Sequence, residues 1–221
     1  MRMSVKLILT ALAASLLFAA AVSTASAARL SVSNQNIRGT WTSLEFVTPG
    51  VVTVRCKVTL EGSFHTRTIA KVERALIGAV TRAIVKQETC TNGSGATFNG
   101  VERYNGTTSP NTLPWHLSYE SFASTLPNIA SVNVLLTRFR FGITVAGLCT
   151  GQFGSETDRI TALAALGAGR EVTALTPVEG RNTASLIRRD AGLTCPPTGL
   201  MRGSGSVMLL GTTTPITITL I

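Results

Sequence analysis

Val52-Thr53-Val54-Arg55-Cys56-Lys57-Val58-Thr59-Leu60-Glu61 is the stretch that decides the fold. Val52, Val54, Cys56, Val58 and Leu60 fall on one face; Thr53, Arg55, Lys57, Thr59 and Glu61 fall on the other. A period of two with one polar side belongs to a strand of an antiparallel sheet, with core on one face and water on the other. The same alternation turns Cys56 inward. Leu135–Val145 repeats the pattern: Phe139, Phe141, Ile143 and Val145 oppose Arg138, Arg140 and Thr144, with Gly142 between them. The last residues repeat it again, Ile216, Ile218 and Leu220 against Thr217 and Thr219, so the C-terminus is expected to be tied into a sheet.

Turn residues separate these runs. Thr48-Pro49-Gly50 reads as a turn between two strands, and Pro196-Pro197-Thr198-Gly199 as a reset before the final strands. Asn92-Gly93, Asn99-Gly100 and Asn105-Gly106 are hairpin dipeptides in a Gly-, Asn-, Ser- and Thr-rich segment, Thr91–Thr112, read as a long hairpin loop. Two of them fall in glycosylation sequons, which matter only in a eukaryotic secretory pathway. Two segments stay open between structures. In Ala70–Lys86, helical spacing of Val72, Leu76, Val80 and Ala83 competes with Gly78 and the β-branched Thr81, Ile84 and Val85. The alternatives are a short helix or turn at Lys71–Leu76, followed by a strand from about Ala79 to Gln87. Ile160–Leu166 is undecided because its alanines and leucines are poor strand formers.

The N-terminus reads as an export signal. Arg2 and Lys6 precede an apolar run, Leu7–Val22, of 16 residues, shorter than the roughly 20 of a permanent membrane helix. Ala25-Ser26-Ala27 follows as an A-x-A cleavage site. Residues 1–27 are therefore expected to leave, and 28–221 to form a single secreted β-domain of 194 residues without a membrane span. The signal carries two basic residues and no acids, so the net charge falls from +9 to +7. The remaining basic residues are scattered, with only Arg188-Arg189 adjacent. A basic surface can favour an anionic cell-surface polymer, but charge this scattered reads first as dispersed and solvated. The Arg–Phe alternation at 138–141 does not suit nucleic acid, because the period places the two residue types on opposite faces.

All four cysteines, Cys56, Cys90, Cys149 and Cys195, lie beyond the signal. An even count in an exported chain favours disulfides. Three pairings are possible; the sequential pairing Cys56–Cys90 and Cys149–Cys195 is preferred. A zinc site would want C-x-x-C pairs or close histidines, and the spacing offers neither. No metal or other cofactor is expected.

The ionisable inventory argues against an enzyme. His65 and His116 are the only histidines, and Asp158 and Asp190 the only aspartates. No nucleophile elbow accompanies them. Glu88, Glu102 and Glu120 are the candidates for a carboxylate pair, but nothing singles them out. Gly203-Ser204-Gly205-Ser206 lacks the lysine of a phosphate loop. No catalytic residue is assigned. The candidate site is aromatic instead: Leu113-Pro114-Trp115-His116-Leu117-Ser118-Tyr119 places Trp115 and Tyr119 as a possible ligand platform, with a core anchor as the plainer alternative. Trp41, between Thr40 and Thr42, carries the same two readings.

At several strings the chain resembles a family of secreted proteins from high-GC actinobacteria that lacks an assigned activity. The matching strings are Cys56-Lys57-Val58-Thr59-Leu60-Glu61-Gly62-Ser63-Phe64-His65, Ala75-Leu76-Ile77-Gly78, Cys90, Leu113-Pro114-Trp115-His116 and Leu126-Pro127. The cysteine-bearing strand with a later L-P-W is more distantly similar to exported alkane-oxidation activator proteins. The resemblance covers residues 50–150 and implies an all-β exported domain. It transfers no functional residue.

The expected architecture is thus all-β, an antiparallel β-sandwich or flattened barrel of about eight to eleven strands with two disulfides. The expected function is non-enzymatic binding or structure at a surface. A β-barrel carrier of an apolar small molecule, motivated by Trp115, Phe139 and Phe141, is the first alternative, and a secreted hydrolase the second. Intact-mass measurement of the exported protein should place its first residue at Ala28; a mass that retains residues 1–27 would contradict the cleavage reading.

Overall fold

The computed structural model describes residues 29–91, 94–98, 103–104, 107–108, 112–123, 128–192 and 194–221. The export signal, the three Asn-Gly dipeptides, Leu126-Pro127 and Glu102 lie outside the described residues, wholly or in part. Among the described residues the chain is all-β: eighteen strands and one 3-10 turn. They are β1 (Arg29–Val32), β2 (Asn36–Thr48), β3 (Val52–Phe64), β4 (Thr68–Ala70), β5 (Leu76–Lys86), β6 (Gly95–Phe98), β7 (Arg103–Tyr104), β8 (Thr107–Thr108) and β9 (Trp115–Ala123). There follow β10 (Ser131–Thr137), β11 (Phe141–Val145), β12 (Cys149–Phe153), β13 (Arg159–Leu166), β14 (Val172–Pro177), β15 (Thr183–Ala191), β16 (Thr198–Arg202), β17 (Ser206–Leu209) and β18 (Ile218–Leu220). The count exceeds the expected eight to eleven because several strands are only two to four residues long.

One antiparallel sheet of 13 strands runs β14-β13-β10-β9-β5-β3-β2-β16-β15-β12-β11-β6, with β17 also on β2. The last part of this sheet folds over the first, giving a sandwich, while the first part curls on itself. The curl is drawn together where β14 meets the residue before β17. Leu175 and Gly205 exchange both backbone hydrogen bonds, at 2.8 and 3.0 Å. Beside them, the Val172 N–H donates to the Ile216 carbonyl at 2.8 Å. The eight strands β2, β3, β5, β9, β10, β13, β14 and β17 therefore make a ring, a size whose interior holds side chains or one small ligand.

The long strand β2 belongs to both parts. Its first half pairs with β17, Thr40 opposite Ser206, and its second half with β16, Phe46 opposite Met201. Between them lies a bulge. Trp41 opposes Val58, but the next partner of β3, Cys56, is met by Leu44. The extra residue leaves Thr42 and Ser43 both outside and resets the inward phase. Trp41 faces in before the bulge; Leu44 and Phe46 face in after it.

Two hydrophobic cores result. One fills the sandwich around Phe46, Val54, Trp115, Phe141 and Phe153. The other fills the far end of the ring around Phe64, Tyr119 and Val132. That end is capped by a 3-stranded sheet, β18-β1-β4, which supplies Leu30, Ile69 and Ile218. The C-terminus is tied in as expected: Ile221 and Arg29 exchange backbone hydrogen bonds at 3.0 and 3.3 Å.

The disulfides are Cys56–Cys90 and Cys149–Cys195. Their separations of 34 and 46 residues correspond to about 4 kcal/mol each in the chain-entropy model. Cys56 is 1% exposed, as the alternation of its strand required.

Three readings change. Leu135–Val145 is two strands, not one. Arg138 takes φ 63°, and the chain turns a corner between β10 and β11. All four apolar residues still face inward. Before β5 the chain takes the turn, not the helix, of the expected alternatives, with Arg74 at φ 64°, but the strand starts at Leu76 instead of about Ala79, because both edges of that segment find partners in β3 and β9. Thr91–Thr112 is more than a loop, since β6 joins the main sheet on β11 and β7 pairs with β8. The undecided Ile160–Leu166 lies within strand β13.

Gly205 holds a tight position in this arrangement. A Cβ built on it would lie 2.5 Å from Cε2 and 2.7 Å from Nε1 of Trp41. The indole rests directly against its backbone. Gly205→Ala should therefore overpack the ring and cost about 2 kcal/mol, or roughly 4–8 °C in Tm. Thermal unfolding measures this, and an unchanged Tm would contradict the seating of Trp41 on Gly205.

Candidate functional site

The alternation that folds each strand of the ring also sends one side chain in two toward its axis. These side chains do not fill it. A cavity of about 120 Å³ remains between the two cores. Every strand of the ring contributes to its wall: Ile37 and Trp41 from β2, Leu60 from β3, Val80 from β5, and Leu117 from β9. Leu136, Ala164, Leu175 and Val207 come from β10, β13, β14 and β17. Phe139 and Met201 close it toward the sandwich core, and Ile216 and Ile218 toward the cap. The wall is almost wholly apolar. Apolar cavities of about 150 Å³ stay dry and take up benzene-sized guests.

The composition of β13 explains part of this space. Ala162 and Ala164 line the cavity where the other strands present larger apolar side chains. Their poor strand propensity left Ile160–Leu166 undecided from sequence, yet these two small side chains help keep the barrel from filling. An alanine-rich strand between well-formed strands is the signal that sequence reasoning missed.

Among the described residues, Trp41 is the one wall residue whose side chain carries a hydrogen-bond donor, and that nitrogen is itself buried. It is 4% exposed, and its Nε1 has no hydrogen-bond partner among the described residues. Trp115 differs. Its Nε1 donates to Thr112 Oγ1 at 2.9 Å, the side chain is 0% exposed, and its ring meets Phe139 edge-on at 4.7 Å between centroids. Trp115 is thus a core anchor one ring behind the cavity, because Phe139 lies in the wall. Tyr119 sits four residues along β9 in the second core, also outside the wall; burial pushes its hydroxyl pKa up. The two residues expected as a platform are separated into two cores, and Trp41 is the tryptophan at the cavity.

Among the described residues, Glu61 is the one ionisable residue of the wall. Its neighbours across the sheet are Arg38 on β2 and Arg82 on β5. Arg38 Nε donates to Oε1 at 2.9 Å and Arg82 Nη1 to Oε2 at 3.1 Å. Burial pushes the carboxyl pKa up, but the two hydrogen bonds and the two positive charges outweigh it and hold Glu61 below its ordinary 4.5.

Among the described residues, the remaining acids and histidines do not converge. Asp158 accepts the backbone N–H groups of Ser155 and Ser185 at 2.9 and 2.8 Å, which staples a turn to β15. Asp190 pairs with Arg188, and Glu120 with Arg181. Glu88 is exposed on the 3-10 turn, His65 is exposed after β3, and His116 is half-buried on β9. Among the described residues, no three of the His, Cys, Asp and Glu side chains are grouped to hold a metal. Gly203–Ser206 carries the chain from β16 to β17 and seats Trp41.

No protein-family model, curated protein or solved structure matches the chain.

The Glu61 cluster has a pH signature. A carboxyl held low in the folded state stabilises fully above its unfolded value, and that contribution is lost as pH falls through the folded value. Glu61→Gln should cost roughly 1 kcal/mol near neutral pH, since both arginines remain partly solvated. In urea unfolding, the gap between wild type and Glu61→Gln should narrow below pH 4.5; a gap that is constant with pH would contradict the ion cluster.

Proposed function

We propose that this protein is an exported, non-enzymatic carrier of a small apolar molecule, held in the barrel. One observation carries the reading: a cavity with an almost wholly apolar wall, to which all eight strands of the ring contribute. A protein interior normally packs to the density of an organic crystal. An unfilled apolar space of this size gives up dispersion contacts that a guest restores. Ligand burial in a barrel needs no acid, base or metal.

Export is supported by the N-terminal signal, the two disulfides and the resemblance at Cys56–His65 and Leu113–His116. Among the described residues, no helix is long and apolar enough to cross a membrane.

A second reading, docking of an anionic surface polymer, is favoured by Lys57 and Lys86. They stand directly opposite each other on β3 and β5, both exposed, with no ion pair among the described residues. Like charges in that position repel, which a bound polyanion would relieve.

Native mass spectrometry of protein purified from its own host tests the carrier. A non-covalent mass addition that disappears on denaturation is expected. A bare protein that also fails to take up benzene in solution would overturn the reading.

A further inference from the structure

The wall of the cavity excludes as sharply as it holds. Among the described residues, only two of its side chains carry nitrogen or oxygen, the Trp41 indole and the Glu61 carboxylate. Neither group is offered to the space. Trp41 Nε1 has essentially no accessible surface, and the pyrrole half of its ring is seated on Gly205. A Cβ built on Gly39 would lie 3.1 Å from Cζ3, so the other end of the indole is held as well. What this side chain shows the cavity is carbon. The Glu61 carboxylate is held by Arg38 and Arg82, whose side chains are 38% and 64% exposed, so it is drawn toward the outer surface of the sheet. The backbone N–H and C=O groups of the ring strands are spent on one another in the ladders.

A guest with a hydroxyl, carbonyl or carboxylate would leave the water bound to that group and find nothing in its place. A guest of carbon and hydrogen alone gives up no hydrogen bond on entry. Size sets a second limit. A cavity of about 120 Å³ is close to the space of about 150 Å³ that admits benzene. It has room for one ring and not for the acyl chain of a lipid.

On the carrier reading above, we infer that the ligand is an unfunctionalised hydrocarbon about one ring in size, and that the site rejects alcohols, ketones and fatty acids. The selectivity comes from concealment: Gly205 covers the one N–H, and Arg38 and Arg82 draw off the one carboxylate.

Toluene and phenol are near-isosteres that differ by CH₃ against OH. NMR titration of the protein gives a Kd for each, and phenol should bind more weakly by roughly tenfold or more. Decanoate, a long-chain amphiphile, should not displace toluene. Ala162→Leu adds side-chain volume inside the cavity and should weaken toluene binding by roughly tenfold or more. The comparison of the three probes on wild type stands even if Ala162→Leu does not fold. Phenol that binds as tightly as toluene, or decanoate that binds in its place, overturns the inference and leaves the carrier standing. Toluene binding unchanged in folded Ala162→Leu, or failure of wild type to bind any of the three probes, overturns the carrier reading itself.

Discussion

The structure depends on one strand serving two sheets. β2 pairs with β3 along nearly its whole length but changes partner on its other edge, from β17 to β16. A strand that curved smoothly into one barrel could not also seed a sandwich. The bulge after Trp41 makes the division possible. It bends the strand, and it moves the inward phase by one residue, so that Leu44 and Phe46 reach the sandwich core instead of Ser43 and Glu45. Without that extra residue the second half of β2 would bury a serine and a carboxylate and expose a phenylalanine.

The cavity follows from this division. The sandwich core and the cap core each pack one end of the ring, and Phe139 and Met201 on one side and Ile216 and Ile218 on the other come only as far as the wall. Between them, Ala162 and Ala164 give up volume that larger residues would occupy. The charged residues are kept out of this interior by the same alternation. Glu61, the one that approaches it, is drawn into an ion cluster with arginines from both neighbouring strands. The cavity is therefore a consequence of packing, set by strand phase and side-chain volume.

Much of the fold was legible. Alternation in Val52–Glu61 identified an antiparallel strand with Cys56 facing inward, and the even, sequentially paired cysteines anticipated both disulfides. The corner at Arg138 was not legible, because an L-residue at φ 63° leaves no mark in composition and the apolar period continues across it. The bulge was legible in principle. Trp41 and Leu44 are three apart in a strand that otherwise repeats in twos, but that spacing has meaning only once both ends are known to be buried. The aromatic site was half legible. Trp115 and Tyr119 drew attention through their distinctive local string, while the tryptophan that lines the cavity is Trp41, which carries no such string.

By itself, the sequence determined the secondary-structure class, the inward face of its clearest strands and the redox chemistry of its cysteines. Each of these rests on local periodicity or on residue chemistry. Only the tertiary structure decided that the strands close into a ring, that Trp41 and not Trp115 meets the cavity, and that a space is left at all. Those outcomes depend on which strand edges meet and on how side chains from distant parts of the chain share one volume. Leu175 and Gly205 are thirty residues apart in sequence, and nothing in either residue specifies the two hydrogen bonds between them.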